Sequence, residues 1–322
     1  MGSPSQLLSI VVPCYNETEV IELFYQTIKP ILTGLEGLRH EIVFVDDGSE
    51  DGSLDKLNQL ARRDPSVLVY ALSRNFGHQA ALTAGLDAAQ GDAVIMMDLD
   101  LQHPPTLIPE MVKLWQQGTD VVSAVRTRTA DATWIKRLAS DGFYRLVNLL
   151  SDTRIVSGAA DFCLLSATAC EALRQLPERH RFLRGMVSWI GFKRAFVRYE
   201  APARPAGRTK YTSRKMLMLA INAVLSFSST PVRLAVRVGC LTILMSLLYL
   251  LYIVICLITN KELVPGWTSI IFLTTFLGGV QLAFIGLLGE YVARIFDEVK
   301  RRPLYVLKQK PPLAPAPNPQ SA

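Results

Sequence analysis

Two carboxylates one residue apart, Asp98 and Asp100, follow the apolar run Ala93–Met97 and precede Gln102-His103-Pro104. The run reads as a buried strand, so both should emerge at its carboxyl end, where open α/β sheets bind ligands. Such a pair suits a hard divalent cation, Mg2+ or Mn2+, that fills its shell with water and phosphate oxygens. Surface loops also produce D-x-D, so the motif gains weight only from its surroundings. Pro13-Cys14-Tyr15-Asn16-Glu17 and Asp46-Asp47-Gly48-Ser49 end two further apolar runs. Tyr15 is suited to stacking on a base, and Asp47 to accepting from a uracil N–H or a ribose hydroxyl. The second segment is equally good turn chemistry that needs no ligand.

These motifs require a sheet to carry them. Leu7–Val12, Glu41–Val45, Val67–Leu72, Ala93–Met97 and Asp120–Val125 are short, apolar strand candidates. They alternate with the amphipathic stretches Val20–Leu35, Leu54–Ala61, Gln79–Ala89 and Leu107–Trp115. That rhythm predicts β-α-β units and a mainly parallel sheet, with the polar motifs along one edge. A helical pattern follows over Thr133–Leu150, then strand candidates at Ala159–Leu165 and Ala195–Tyr199.

Half of the 322 residues are hydrophobic and the mean hydropathy is +0.25, with much of the excess near the carboxyl terminus. Val238–Ile258 and Thr268–Gly289 run 21 and 22 residues without a charge. At 1.5 Å per residue, each covers about 30 Å, the thickness of a bilayer core. Their short connector predicts a helical hairpin. Arg233 and Arg237 precede the pair and Arg294, Lys300, Arg301 and Arg302 follow it, which places both flanks on the cytoplasmic side. Leu7–Val12 is too short for a signal-peptide core. Ser213–Phe227 reads as an amphipathic helix, either core-facing or lying in the membrane interface. The net charge of +6, clustered rather than interleaved with aromatics, speaks for membrane or substrate phosphate and against nucleic acid. Five scattered cysteines without a C-x-x-C pair read as reduced thiols, and four scattered histidines do not read as a zinc site.

Val11–Glu17, Val45–Gly52 and Met97–Pro104, in this order, resemble the inverting family 2 glycosyltransferases of GT-A fold. Within that family the chain is similar to polyisoprenyl-phosphate glycosyltransferases. These include dolichyl-phosphate mannose synthases and bactoprenol glucosyltransferases; Arg74-Asn75-Phe76-Gly77-His78-Gln79 and the apolar pair resemble the bactoprenol branch. The resemblance implies that Pro13, Tyr15, Glu17, Val45 and Asp47 hold the nucleotide and that Asp98 and Leu99 line the donor site. It implies that Asp100 and Gln102 ligate Mg2+ or Mn2+ and that Arg126 meets a donor or acceptor phosphate. Arg204 and Lys210 match basic residues of a mobile loop over the phosphates; a patch attracted to anionic lipid is the competing reading of that segment. Asp161 is placed near the acceptor as candidate base. A phosphate monoester with a second pKa of about 6 hardly needs deprotonation, so orienting Arg126 or another cation is the alternative role.

The expected organisation is a GT-A catalytic domain over 1–212, a juxtamembrane helix over 213–233, two transmembrane helices within 234–293, and a basic, Pro-rich cytoplasmic tail over 294–322. The expected protein is a multi-pass enzyme of the bacterial inner membrane, a homo-oligomer and possible tetramer, moving one hexose from a UDP-sugar to polyisoprenyl phosphate. Glucose and undecaprenyl phosphate lead, with GDP-mannose, UDP-GlcNAc or a modified pentose donor as alternatives. A processive polysaccharide synthase would carry a Q-x-x-R-W motif, which this sequence lacks. A silent nucleotide-sensing scaffold is the reading from another class.

Overall fold

A computed structural model describes residues 6–128, 159–179, 181–200, 230–259 and 266–311. Among the described residues, eight strands form one sheet in the order β7-β5-β6-β4-β1-β2-β3-β8. β1 (Gln6–Cys14), β2 (Leu38–Asp46), β3 (Val67–Leu72) and β4 (Ala93–Met96) are mutually parallel. β6 (Ala159–Ser166) runs antiparallel between β4 and β5 (Val121–Arg128), and β7 (Arg194–Glu200) pairs parallel with β5. The sheet is therefore mixed rather than purely parallel. The reversal matters: β6 enters the sheet from the same edge at which β1, β2, β4 and β5 leave it.

Alternation along the strands builds a core on each face. Leu8, Ile10 and Val12 of β1 pack with Phe24 and Ile28 of α1 (Ile21–Thr33), Leu57 of α2 (Ser53–Arg63) and Met111 of α4 (Ile108–Gln116). Val11, Val43 and Met96 face the other way, onto α3 (His78–Ala88), α5 (Ala167–Arg174) and α6 (Leu183–Trp189). Cys14, Cys163 and Cys170 are buried free thiols, pushed up in pKa chiefly by burial, which fits the reduced reading for these three.

Two long helices follow, α7 (Thr230–Ile258) and α8 (Trp267–Val299). Among the described residues, one segment, Phe276–Val299, is long and apolar enough to cross a membrane. It lies toward the carboxyl side of the expected second span. α8 continues past the expected tail boundary at 294, and the tail folds back: β8 (Leu307–Gln309) adds antiparallel to β3. Ser73 N–H donates to Val306 O, and Tyr305 Oη donates to Asp87 Oδ2. The helical patterns over 133–150 and 213–227 lie outside the described residues.

Candidate active site at the carboxyl edge of the sheet

Parallel pairing brings the predicted motifs to one edge. Cys14 is level with Asp46, and Val11 with Met96, so the segments after β1, β2 and β4 leave the sheet side by side. The first two interlock. Asn16 N–H donates to Ser49 Oγ, Glu50 N–H to Asn16 Oδ1, Glu17 N–H to Ser53 Oγ, and Thr18 N–H to Asp51 Oδ2. Tyr15 stands 40% exposed at this rim. Pro13 and Val45 are buried, so their side chains face the interior rather than an open crevice.

Asp47 also departs from expectation. It is only 3% exposed, and its two oxygens accept from Phe76 N–H (2.7 Å) and Gly77 N–H (2.9 Å). Burial raises its pKa against these two bonds. The carboxylate thus ties the turn after β2 to the loop after β3. Gly48 makes the approach possible: at φ +71°, a Cβ there would lie 2.5 Å from the Arg74 carbonyl carbon. The turn reading of Asp-Asp-Gly-Ser accounts for this segment as it stands.

After β4 the chain leaves the sheet and turns at Leu99 and Asp100. Asp98 emerges on the face of α3 and α6, while Leu99 falls on the opposite face, 1% exposed in the core. The Leu99 side chain therefore packs in the core beside the expected donor site. Asp98 lies 2.8 Å from His78 Nε2 and 3.7 Å from His103 Nε2. Its own N–H donates to His103 Nδ1, which sets the imidazole proton on Nε2, and His103 stacks on Phe162. Burial opposes ionisation of Asp98, but His103 and His78 outweigh it and hold the carboxyl well below the usual range. Burial likewise opposes a charged His78, yet the Asp98 bond raises its pKa. The two histidines, 25 residues apart in sequence, meet at one carboxylate; His78 stood in the Arg74–Gln79 motif and His103 beside the acidic pair, but nothing local joined them.

Leu101, at φ +57°, turns the chain between Asp100 and Gln102, a conformation costing a branched residue about 1–3 kcal/mol. Packing of Leu101 on the core holds it there. Gln102 N–H donates to Asp100 Oδ1 (3.1 Å), and Gln102 Oε1 accepts from Arg126 Nη2 (3.3 Å). Arg126 Nε is buried and has no partner among the described residues. A carboxylate and an amide oxygen are hard donors and fit Mg2+ or Mn2+ with phosphate and water completing the shell. Among the described residues no group of three or more His, Cys, Asp and Glu side chains forms a metal site.

Asp161, near the start of β6, is 8% exposed. It pairs with Arg184 of α6, not with Arg126: Arg184 Nε reaches Oδ1 at 2.7 Å and Nη2 reaches Oδ2 at 2.9 Å. Arg184 escaped the sequence reading, since nothing local marks it. Arg204 and Lys210 lie outside the described residues.

Residues 9–174 match Glycosyl transferase family 2. The chain belongs to glycosyltransferase family 2. It is 40% identical over 302 residues to the SfII prophage-derived bactoprenol glucosyl transferase of Shigella flexneri, covering 94% of this chain and 97% of that one. It is also 40% identical over 301 residues to the uncharacterized glycosyltransferase YkcC of Bacillus subtilis (strain 168), covering 94% and 93%. Among solved structures, glucosyl-3-phosphoglycerate synthase from Mycobacterium tuberculosis aligns at 22% identity and a TM-score of 0.47, over 69% of this chain and 79% of that one.

Proposed function

We propose that this glycosyltransferase moves one glucose from UDP-glucose to a polyprenyl phosphate at the cytoplasmic membrane face, with inversion. The observation that carries the reading is its near full-length likeness to a bactoprenol glucosyl transferase. The site is consistent with it. Tyr15 stacks on the base at the exposed rim, and Asp47 keeps the neighbouring loops in register. Asp98, ionised between two histidines, accepts from sugar or ribose hydroxyls. Asp100 and Gln102 hold Mg2+ or Mn2+. Such an ion, once bound, neutralises the charge that develops on the diphosphate leaving group. Arg126 extends that neutralisation, and Arg204 and Lys210 close over the phosphates. The acceptor phosphate is already largely dianionic at neutral pH, so in-line attack needs positioning rather than a strong base.

Membrane attachment follows from the same reading. The charge-free stretch Val238–Ile258 within α7 and the apolar segment of α8 form two spans, with both termini cytoplasmic and the catalytic domain at the surface that holds the lipid. Gly279, Ala283 and Gly286 are exposed on α8, and a Cβ at either glycine would meet no atom within 4 Å. A small-residue face of this kind supports helix association between copies.

Incubating detergent-purified enzyme with undecaprenyl phosphate and a panel of UDP-glucose, UDP-GlcNAc and GDP-mannose tests the reading. The expected product is a lipid-linked glucose detected by mass spectrometry. Preference for another donor overturns the glucose assignment, and absence of transfer from every donor favours the scaffold.

A further inference from the structure

The carboxyl-terminal tail meets the catalytic domain at one particular place. β8 is three residues long, and it pairs with Ala71 and Leu72, the end of β3, with Leu307 level with Leu72. The next N–H along the chain, that of Ser73, donates to Val306 O at 2.8 Å. The tail therefore grips the backbone just where it leaves the sheet for the Arg74–Gly77 loop. Ser73, Arg74 and Asn75 are exposed, so apolar burial does little to fix them. Backbone bonds hold the loop at its two ends instead. Val306 O accepts from Ser73 N–H, and the Asp47 carboxylate accepts from Phe76 and Gly77 N–H. Gly77, at φ +99°, then passes the chain to α3, whose first residue, His78, meets Asp98. The last turn of the same helix carries Asp87, which accepts from Tyr305 Oη at 2.8 Å. Tyr305 and Leu307 also pack, partly buried, against the core on that face, and Gln309 Nε2 donates to Asn58 Oδ1 of α2.

A tail that served only to cover the β3 edge would have no need to close on its exit and on α3 together. We propose that β8 and Tyr305 form a positioning strap for the active site: by gripping the exit of β3 and the last turn of α3, they hold the Arg74–Gly77 loop and His78 at the carboxyl edge beside Asp98. A ligand that meets a loop already in place does not lose affinity to ordering it. The ligand in question, a nucleoside diphosphate, rests on the transfer reading above. The grip on the loop does not, since it is a matter of bonds within the chain.

The test uses full-length enzyme in detergent. Lys308 is exposed in the middle of β8, so Lys308→Pro removes a backbone donor from the strand without removing a packed side chain. Lys308→Gln removes the charge and keeps the donor. Amide hydrogen exchange over Ser73–Gln79 should quicken about tenfold in Lys308→Pro and about threefold in Tyr305→Phe, while β1 keeps the parental rate. Affinity for UDP with Mn2+, measured by calorimetry, should fall by about the same factors, and Lys308→Gln should match the parent in both measurements. Parental loop exchange in Lys308→Pro, faster exchange that includes β1, or parental UDP affinity beside a loosened loop would each overturn the strap. So would a Lys308→Gln that behaves as Lys308→Pro. If the parent itself binds no UDP, the donor reading falls, and the exchange rates, which need no ligand, still decide whether the strap holds the loop.

Discussion

A divalent cation at the carboxyl edge would draw on Asp100 and Gln102, which the strained turn at Leu101 brings together. Asp100→Asn removes the charge that a hard cation requires while keeping the side chain's size. We expect it to lose transfer by about 100-fold or more, and chelator to do the same to the parent. Added Mn2+ should restore the parent alone, and unchanged activity of Asp100→Asn in chelator would end the metal assignment. Asp98 was legible as a carboxylate at the carboxyl edge of the sheet, but its surroundings were not. Its ionisation depends on His78 at the start of α3 and His103 in the loop after β4, and no spacing rule links them. The side chain of Leu99, by contrast, is buried in the core beside the motif.

At the scale of elements, the site rests on loops that hold one another. Asp51 joins the loop after β1 to that before α2, accepting from Thr18 N–H, Ser53 N–H and Ser53 Oγ. Burial would raise its pKa, but these bonds prevail and lower it to about 2. The sign follows from linkage: a carboxyl whose folded pKa is depressed stabilises the fold above its unfolded value of about 3.9, and the contribution fades as pH falls toward the folded one. Asp51→Asn should therefore melt earlier than the parent at neutral pH, and the gap should shrink as pH drops from about 5 to about 3. A gap in thermal midpoint that stays constant over this range would count against the carboxylate. The elements themselves were readable. Every strand candidate is present, Val67–Leu72 with its own limits, because local burial on a sheet imposes a local pattern. The antiparallel insertion of β6 was not readable, since strand order depends on which distant segments pair.

For the whole molecule, the carboxyl-terminal tail is the largest departure. Expected as a basic, Pro-rich tail from 294, it runs as helix to Val299 and then covers the β3 edge as β8. Arg179 N–H donates to Glu298 Oε1, and Arg179 Nη1 to Arg302 O, so the end of α8 is fastened directly to the catalytic domain. An attachment of this kind fixes the orientation of the site relative to the apolar helix. Assembly is the property to measure at this scale. The small-residue face of α8 predicts a molar mass in detergent, after subtracting bound detergent, of more than one chain; a single-chain particle would count against it. The sequence by itself determined the repeating α/β pattern, the edge that carries Tyr15, Asp98 and Asp100, and the apolar carboxyl-terminal helices. All of these are written in periodicity, turn residues and hydropathy over a few neighbouring positions. Only the tertiary structure decided that Asp161 belongs to Arg184, that Asp47 serves a loop, that two histidines flank Asp98, and that the tail completes the sheet. Those pairings form between segments tens to hundreds of residues apart, selected by long-range packing that leaves no trace in local composition.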